Sequence, residues 1–480
     1  MSAPHILFIM TDQQRWDSLG CYGNETIETT HLDWLACEGT QFDHAYTPSP
    51  SCVPARAALL TGMDPWHTGI LGTGKSQGQM GSNYPQTMPG ELAKNGYHTL
   101  GVGKMNFSPQ RSLNGFHQTI LDEGGKKQDP GFESDYEQWF QQHKTAPYGS
   151  LDHGVGWNDW LSRPFHAPEY LHPTNWTVNE ALNHLETRDP TKPFFLKVSF
   201  TRPHSPYDPP EYYFDTYKDS PLPDPEVGSW ANIHDDKKEA MKPDAWRGIR
   251  SKKDIQRARA GYYGSINHID DQLGRLFDYL KRNRLWNETM IVFTSDHGDM
   301  LGDHHLWRKT YAYEGSTHIP LMIKLPQSAG KQVSRVKEPV QLQDVLPTLL
   351  DVATIPIPSG VDGVSLLPLM TSENVTWRPF VHGEHSACYA DEQEMQFLTD
   401  GKMKYIWFPR TDAYQLFDLE KDPYEKHDVS KELTYKEDLE KWQFRLVETL
   451  KTRTGWTHNG HLISQKNKPY AISPYYEKWK

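Results

Sequence analysis

Short runs of consecutive apolar residues, each closing on a polar or glycine-containing turn, alternate along most of the chain with stretches of helical periodicity. Residues 5–11 (HILFIMT), 99–102, 194–201, 290–295 and 321–324 are β-prone and apolar at successive positions, the pattern of strands buried on both faces. Residues 31–38, 88–95 (stopped by Gly96), 176–187 and 345–352 read as helices. In 255–282, Ile266, Ile269, Leu273, Leu276, Phe277 and Leu280 fall near the 3.6-residue period of a helix lying on a sheet. The alternation predicts an α/β fold, with a large mixed, mostly parallel sheet flanked by helices.

After Trp377-Arg378-Pro379 the texture changes to short strands at 380–383, 395–399, 404–408 and 415–418, followed by an amphipathic helix over 435–451. That succession predicts a small α+β domain with an antiparallel sheet. The expected division is a large domain over 1–376 and a small one over 377–480. Residues 108–174 show little periodicity and are rich in Gly, Pro, His and Trp, as expected of a functional loop region or an insertion. Trp139, Trp157, Trp160 and His166 in this stretch either stack on a ring of a ligand or pack in the ordinary way.

Composition narrows the classes. A chain of 480 residues with 23% charged and 36% apolar residues accommodates two globular domains. A net charge of -12 argues against a nucleic-acid surface, so an anionic substrate would need local cationic charge. Four unevenly spaced cysteines do not make a disulfide framework. No apolar run is long enough to span a bilayer, and no membrane partner is expected. The opening MSAPHILFIM enters a strand at once with no leader pattern. The expectation is a cytoplasmic protein, or a periplasmic or secreted one if a leader has been removed.

Candidate chemistry collects where strands end. The first delivers Asp12-Gln13, either a turn cap or a metal-binding pair, in which the Gln13 amide oxygen could ligate a hard cation without adding charge. The second delivers Lys104-Met105-Asn106-Phe107, the third His204 held between two prolines, and the fourth Asp296-His297-Gly298-Asp299. Pro50-Ser51-Cys52-Val53-Pro54-Ala55-Arg56 precedes a helix-forming run. Pro54 suits a first helical position, which would set Cys52 beside a helix N-terminus, where free N–H groups favour an anion. A buried structural cysteine is the alternative there.

Taken together, C-x-P-x-R at Cys52–Arg56, Lys104, the P-H-x-P turn around His204, and T-S-D-H-G-x-x-x-G-x-H running to Lys309 resemble the type I sulfatases of the alkaline phosphatase superfamily. The K-M-x-F segment at Lys104 is similar to that of choline sulfatases. The resemblance implies an alkaline-phosphatase-like catalytic domain over 1–376 and hydrolysis of sulfate monoesters, with a sulfated saccharide the expected substrate. It implies that a maturation enzyme oxidises Cys52 to formylglycine, whose hydrate attacks sulfur. Asp12, Gln13, Cys52, Asp296 and His297 would then hold Ca²⁺, with Mg²⁺ or Mn²⁺ possible. Arg56 would donate to sulfate oxygens or to the nucleophile itself, Lys104 and Lys309 would clamp the sulfate, and His204 would protonate the leaving oxygen. Asn106 stands where the family usually has histidine and, with His305, is expected to contact substrate. Two other readings are open: a phosphonate monoester or phosphodiester hydrolase of the same superfamily, and a glycan binder impaired in catalysis.

Overall fold

The computed structural model describes residues 3–73, 78–126, 128–372 and 375–479. Eight strands form one mixed sheet: β1 (His5–Asp12), β2 (Thr40–Phe42), β3 (His98–Gly103), β4 (Gln118–Leu121), β5 (Phe194–Pro203), β6 (Thr289–Ser295), β7 (Leu321–Lys324) and β8 (Arg335–Val336). Their spatial order is β4-β3-β5-β1-β6-β7-β2-β8. The first five in that order run parallel, and β7 is antiparallel to both of its neighbours. The long apolar runs are thus central strands, as expected of segments covered on both faces.

Alternation along β1 sorts the two layers. Ile6, Phe8 and Met10 pack with helix α2 (Cys52–Thr61) and with the helix over Val345–Val352. Leu7 and Ile9 face α1 (Thr30–Glu38), α3 (Pro173–Thr187) and the 31-residue α4 (Lys252–Arg282). Burying each of these side chains contributes about 1.5–3 kcal/mol.

The C-terminal sheet is antiparallel, β9 (Val381–His385), β10 (Met395–Thr399), β11 (Met403–Phe408) and β12 (Ala413–Asp418) in that order. Adjacent residues split its faces. Leu398, Tyr405, Trp407 and Leu416 bury against the helix over Lys436–Leu450. Their neighbours Phe397, Ile406 and Phe417 bury against Met300, Leu306, Tyr311 and Tyr313, which follow β6. The second sheet is therefore packed directly onto the loops that carry the polar strand ends.

Two elements differ from the sequence reading. Residues 108–174 contain β4 and a helix over Asp135–His143. That helix buries only Tyr136 and Phe140, one i,i+4 pair, which is too little periodicity to stand out. Its start is set by Ser134, whose hydroxyl accepts from the Glu137 N–H. Helix α2 begins at Cys52 itself, so Pro54 is its third residue. The missing proline N–H costs nothing there, because the first turn has no intrahelical acceptors for its N–H groups.

Candidate active site

Parallel neighbours β1 and β6 are in register from His5/Thr289 to Thr11/Ser295, so the next residues, Asp12 and Asp296, emerge side by side at their carboxyl ends. The N-terminus of α2 brings Cys52 to the same point. One ligand atom each from Asp12, Cys52, Asp296 and His297 lies within 4.8 Å of the others, and all four residues are buried. Cys52 Sγ is 3.3 Å from His297 Nε2 and 3.7 Å from Asp12 Oδ1.

Three cations surround this group. Arg56, one turn into α2, donates from Nε to Asp296 Oδ2 (2.8 Å) and from its terminal nitrogens to Asp12, the Lys104 carbonyl and Ser199 Oγ. Its guanidinium thus holds the two carboxylates together. Lys104 is positioned by Gly103, which has φ +91° and whose missing Cβ would come 2.0 Å from the Ser199 carbonyl. The Lys104 ammonium pairs with Asp12 Oδ2 and sits 3.8 Å from Cys52 Sγ. Burial works against its charge, yet Asp12 and Cys52 hold its pKa above the ordinary lysine value. Lys309 Nζ stands 3.5 Å from Sγ, bonds the Gln13 amide oxygen at 2.8 Å and reaches His204 Nε2.

The thiol registers this surplus of positive charge. Burial and Asp12 push its pKa up, but Lys104, Lys309 and His297 outweigh them and bring it down to about 6. The pocket is built to stabilise an anion at position 52. His204 hangs over it with Nδ1 at 2.8 Å from the Ser205 carbonyl, so Nε2 is the nitrogen turned to Lys309. Burial, reinforced by Lys309, holds its imidazole well below the usual pKa.

The donor set fits a hard divalent cation. His297 Nδ1 lies 2.9 Å from the Gly298 carbonyl, and its Nε2 is turned toward Asp296 Oδ1 at 3.6 Å and Asp12 Oδ1 at 3.8 Å. A ring nitrogen facing two carboxylates calls for positive charge between them, which a proton on the ring or a bound cation supplies. Even against burial, Asp296 and Cys52 raise the His297 pKa. Two carboxylates with one imidazole suit Ca²⁺ or Mg²⁺, and admit Mn²⁺.

The remaining expected residues fall into two groups. Gln13, at φ +68°, points its amide nitrogen to Asp299 and its oxygen to Lys309, beside the carboxylate cluster. Asn106 is buried at φ +60°, its backbone N–H and Nδ2 bound to Glu123 and its Oδ1 without a partner. His305 is not brought to the cluster. It is half-buried, its carbonyl accepts from Gly248, and among the described residues no hydrogen bond or ion pair joins it to the Cys52 group. The η-turn at Asp303–His305 directs it toward the segment around Asp235.

Sequence reasoning passed over two contributors. Ser51 Oγ is 2.7 Å from His385 Nε2, so β9 of the second sheet holds the residue before the thiol. Lys126, in the turn after β4, projects toward the site, where burial and then Lys104 push its pKa down to about 8. Neither lies in a motif, and only the folded chain brings them near Cys52.

Comparison with known proteins agrees with this arrangement. The family profile "Sulfatase" matches residues 4–355, and "N-sulphoglucosamine sulphohydrolase, C-terminal" matches 302–452. The chain is 43% identical to an arylsulfatase of Clostridium perfringens over 98% of both chains. It is 32% identical to a choline-sulfatase of Rhizobium meliloti, over 88% of this chain and 81% of that one. Among solved structures, the phosphonate monoester hydrolase of Agrobacterium radiobacter superposes with a TM-score of 0.78 at 24% identity, over 98% of this chain and 99% of the other. That likeness is one of fold. Carried by the two profile matches and the full-length arylsulfatase relative, the conclusion is that this chain belongs to the type I sulfatases of the alkaline phosphatase superfamily and is a sulfuric ester hydrolase.

Proposed function

We propose that the enzyme hydrolyses the sulfate monoester of a sulfated carbohydrate, with formylglycine made from Cys52 as nucleophile and Ca²⁺ as the resident ion. The observation that carries this reading is the convergence of Lys104, Lys309 and the Asp12/Asp296/His297 group on one side chain, Cys52. Sulfate esters need cationic stabilisation, a nucleophile and an acid for the leaving oxygen, and each has a candidate here. The C-terminal profile named for N-sulphoglucosamine sulphohydrolase is what favours a sugar.

When bound, the ion and the hydrated aldehyde would supply Lewis acidity and a gem-diol oxygen nucleophile. The rest falls to the chain's own residues. Asp12, Asp296 and His297 would hold the ion. Arg56 keeps the two carboxylates aligned, and Lys104 and Lys309 bind the sulfate oxygens. Lys309 donates to His204 Nε2 in the free enzyme. An arriving sulfate would draw that ammonium to itself, and Nε2, so freed, would take up a proton from solvent and pass it to the oxygen of the departing alcohol. Asn106, bound through Glu123, would present its free Oδ1 to substrate.

Cys52→Ala should lower turnover of an aryl sulfate by about a thousandfold or more while the fold persists. Mass spectrometry of the peptide containing residue 52 should find the aldehyde in place of the thiol. Undiminished turnover in the variant, or a thiol in fully active protein, defeats the reading. A second reading, phosphonate monoester or phosphodiester hydrolysis, is favoured by the fold likeness to the Agrobacterium radiobacter hydrolase. Faster turnover of an aryl phosphodiester than of the matching aryl sulfate would put it first.

A further inference from the structure

Trp157 occupies a turn closed by Asp159, whose carboxylate accepts from the Gly156 N–H at 2.6 Å. Its half-buried ring stacks on His204, with centroids 4.3 Å apart and planes inclined by 26°. The ammonium groups of Lys104 and Lys126 stand 5.0 and 4.9 Å from the same ring centroid. Gly124 makes the room: at φ +61°, a Cβ there would come 2.3 Å from the indole. Tryptophan, glycine turn and lysine therefore fit as one unit.

The two lysines differ in what answers their charge. Lys104 is paired with Asp12. Among the described residues, no carboxylate or carbonyl accepts from the Lys126 ammonium, and its one recorded contact is the Trp157 ring. The Lys126 backbone is nevertheless held, its N–H by the Glu123 carbonyl at 3.2 Å and its carbonyl by Gln110 Nε2 at 3.0 Å. A chain of contacts leads away from Cys52, from Lys309 to His204, from His204 to Trp157 and from Trp157 to Lys126. A group bonded to an ester oxygen that His204 protonates must lie along the indole and end near an unanswered cation.

We propose that Trp157 and Lys126 form the leaving-group subsite, selecting a ring-bearing sulfate ester that carries a second anionic group, a carboxylate or another sulfate. The inference rests on the sulfatase reading and adds the class of alcohol released. The part of the half-buried indole not covered by His204 offers apolar surface for a sugar or aryl ring, and the partly desolvated ammonium makes an ion pair there stronger than one in open water.

The test compares kcat/KM for phenyl sulfate with that for 3- and 4-carboxyphenyl sulfate. The native enzyme should favour at least one carboxylated ester. Lys126→Met should cut that preference about tenfold, and Lys126→Arg should keep it. Trp157→Ala should raise KM for the aryl esters about tenfold, with Trp157→Phe recovering most of the loss. Turnover by the native enzyme with no preference, or an equal loss on all esters in Lys126→Met, overturns the inference and leaves the sulfatase reading intact. Native protein that hydrolyses none of these esters overturns both.

Discussion

At the scale of single residues, the site depends on close approaches that only certain side chains permit. Gly103 combines a left-handed backbone with a carbonyl lying where its Cβ would be, and it delivers both Lys104 and the backbone bond from Lys104 N–H to Ser199 at 2.8 Å. Gly103→Ala should lower the melting temperature by several degrees, through about 1–3 kcal/mol of backbone strain, and reduce kcat as Lys104 is displaced. Unchanged kcat with a lowered melting temperature would separate Lys104 from catalysis. Much of this level was legible beforehand. Asp12, Cys52, Lys104, His204, Asp296 and His297 each sit at or just past a strand or helix end within a recognisable motif, Lys309 lies in the loop that follows, and the fold gathers them. The carboxylates that Arg56 meets were not legible, because spacing places a side chain on a helix face without saying which acid lies opposite. His305 is not gathered with them, because the turn after Gly302 reverses direction through left-handed residues His304 and His305.

At the scale of elements, β9 acts on the active-site loop from a distant part of the chain. The Glu384 N–H bonds the Pro48 carbonyl, the Ser386 N–H bonds Leu71, and His385 meets Ser51, so one strand holds the segment on both sides of Cys52. Glu384 is in turn clamped by both terminal nitrogens of Arg453 at 2.5 and 2.7 Å, with both residues buried. Arg453→Met leaves that carboxylate buried and unpaired, at a cost of about 3–5 kcal/mol. Urea unfolding should report the loss, and kcat should fall with it if β9 orders the nucleophile loop. Stability that drops without any change in kcat would make the clamp purely structural. None of this pairing could be read in advance. Periodicity finds β9 and α2 separately, but their contact is a matter of tertiary packing. By contrast, the central strands and α4 were plain, because segments buried on both faces or along a full stripe write their environment into consecutive residues. The helix over Asp135–His143 buries too little to do so.

For the whole molecule, acid should be the vulnerable side. His268, His385 and His184 are buried, and burial holds His268 down to about 3 and the other two at about 4. In the unfolded chain these imidazoles take a proton near pH 6.5, before the folded protein can. Stability is therefore whole above that pH and declines as the pH falls toward 4, by about 1.4 kcal/mol per pH unit for each fully buried ring. A melting temperature that stays flat from pH 7 to 4.5 would refute this. Millimolar Ca²⁺ should act in the opposite sense, raising the melting temperature by binding only the folded Asp12/Asp296/His297 group, with EDTA reversing the gain. No shift with Ca²⁺, Mg²⁺ or Mn²⁺ would count against a resident ion there.

The bond between Ser51 and His385 joins residues 334 positions apart in a chain of 480. During synthesis the loop around Cys52 leaves the ribosome long before its retaining strand exists, and at about 5–20 residues per second the interval is tens of seconds. Once β9 arrives, the thiol is 5% exposed. On the proposed conversion of Cys52, a tailoring enzyme would have to work on the nascent chain, and the rate of translation would then compete with the rate of oxidation in setting the fraction of molecules that mature.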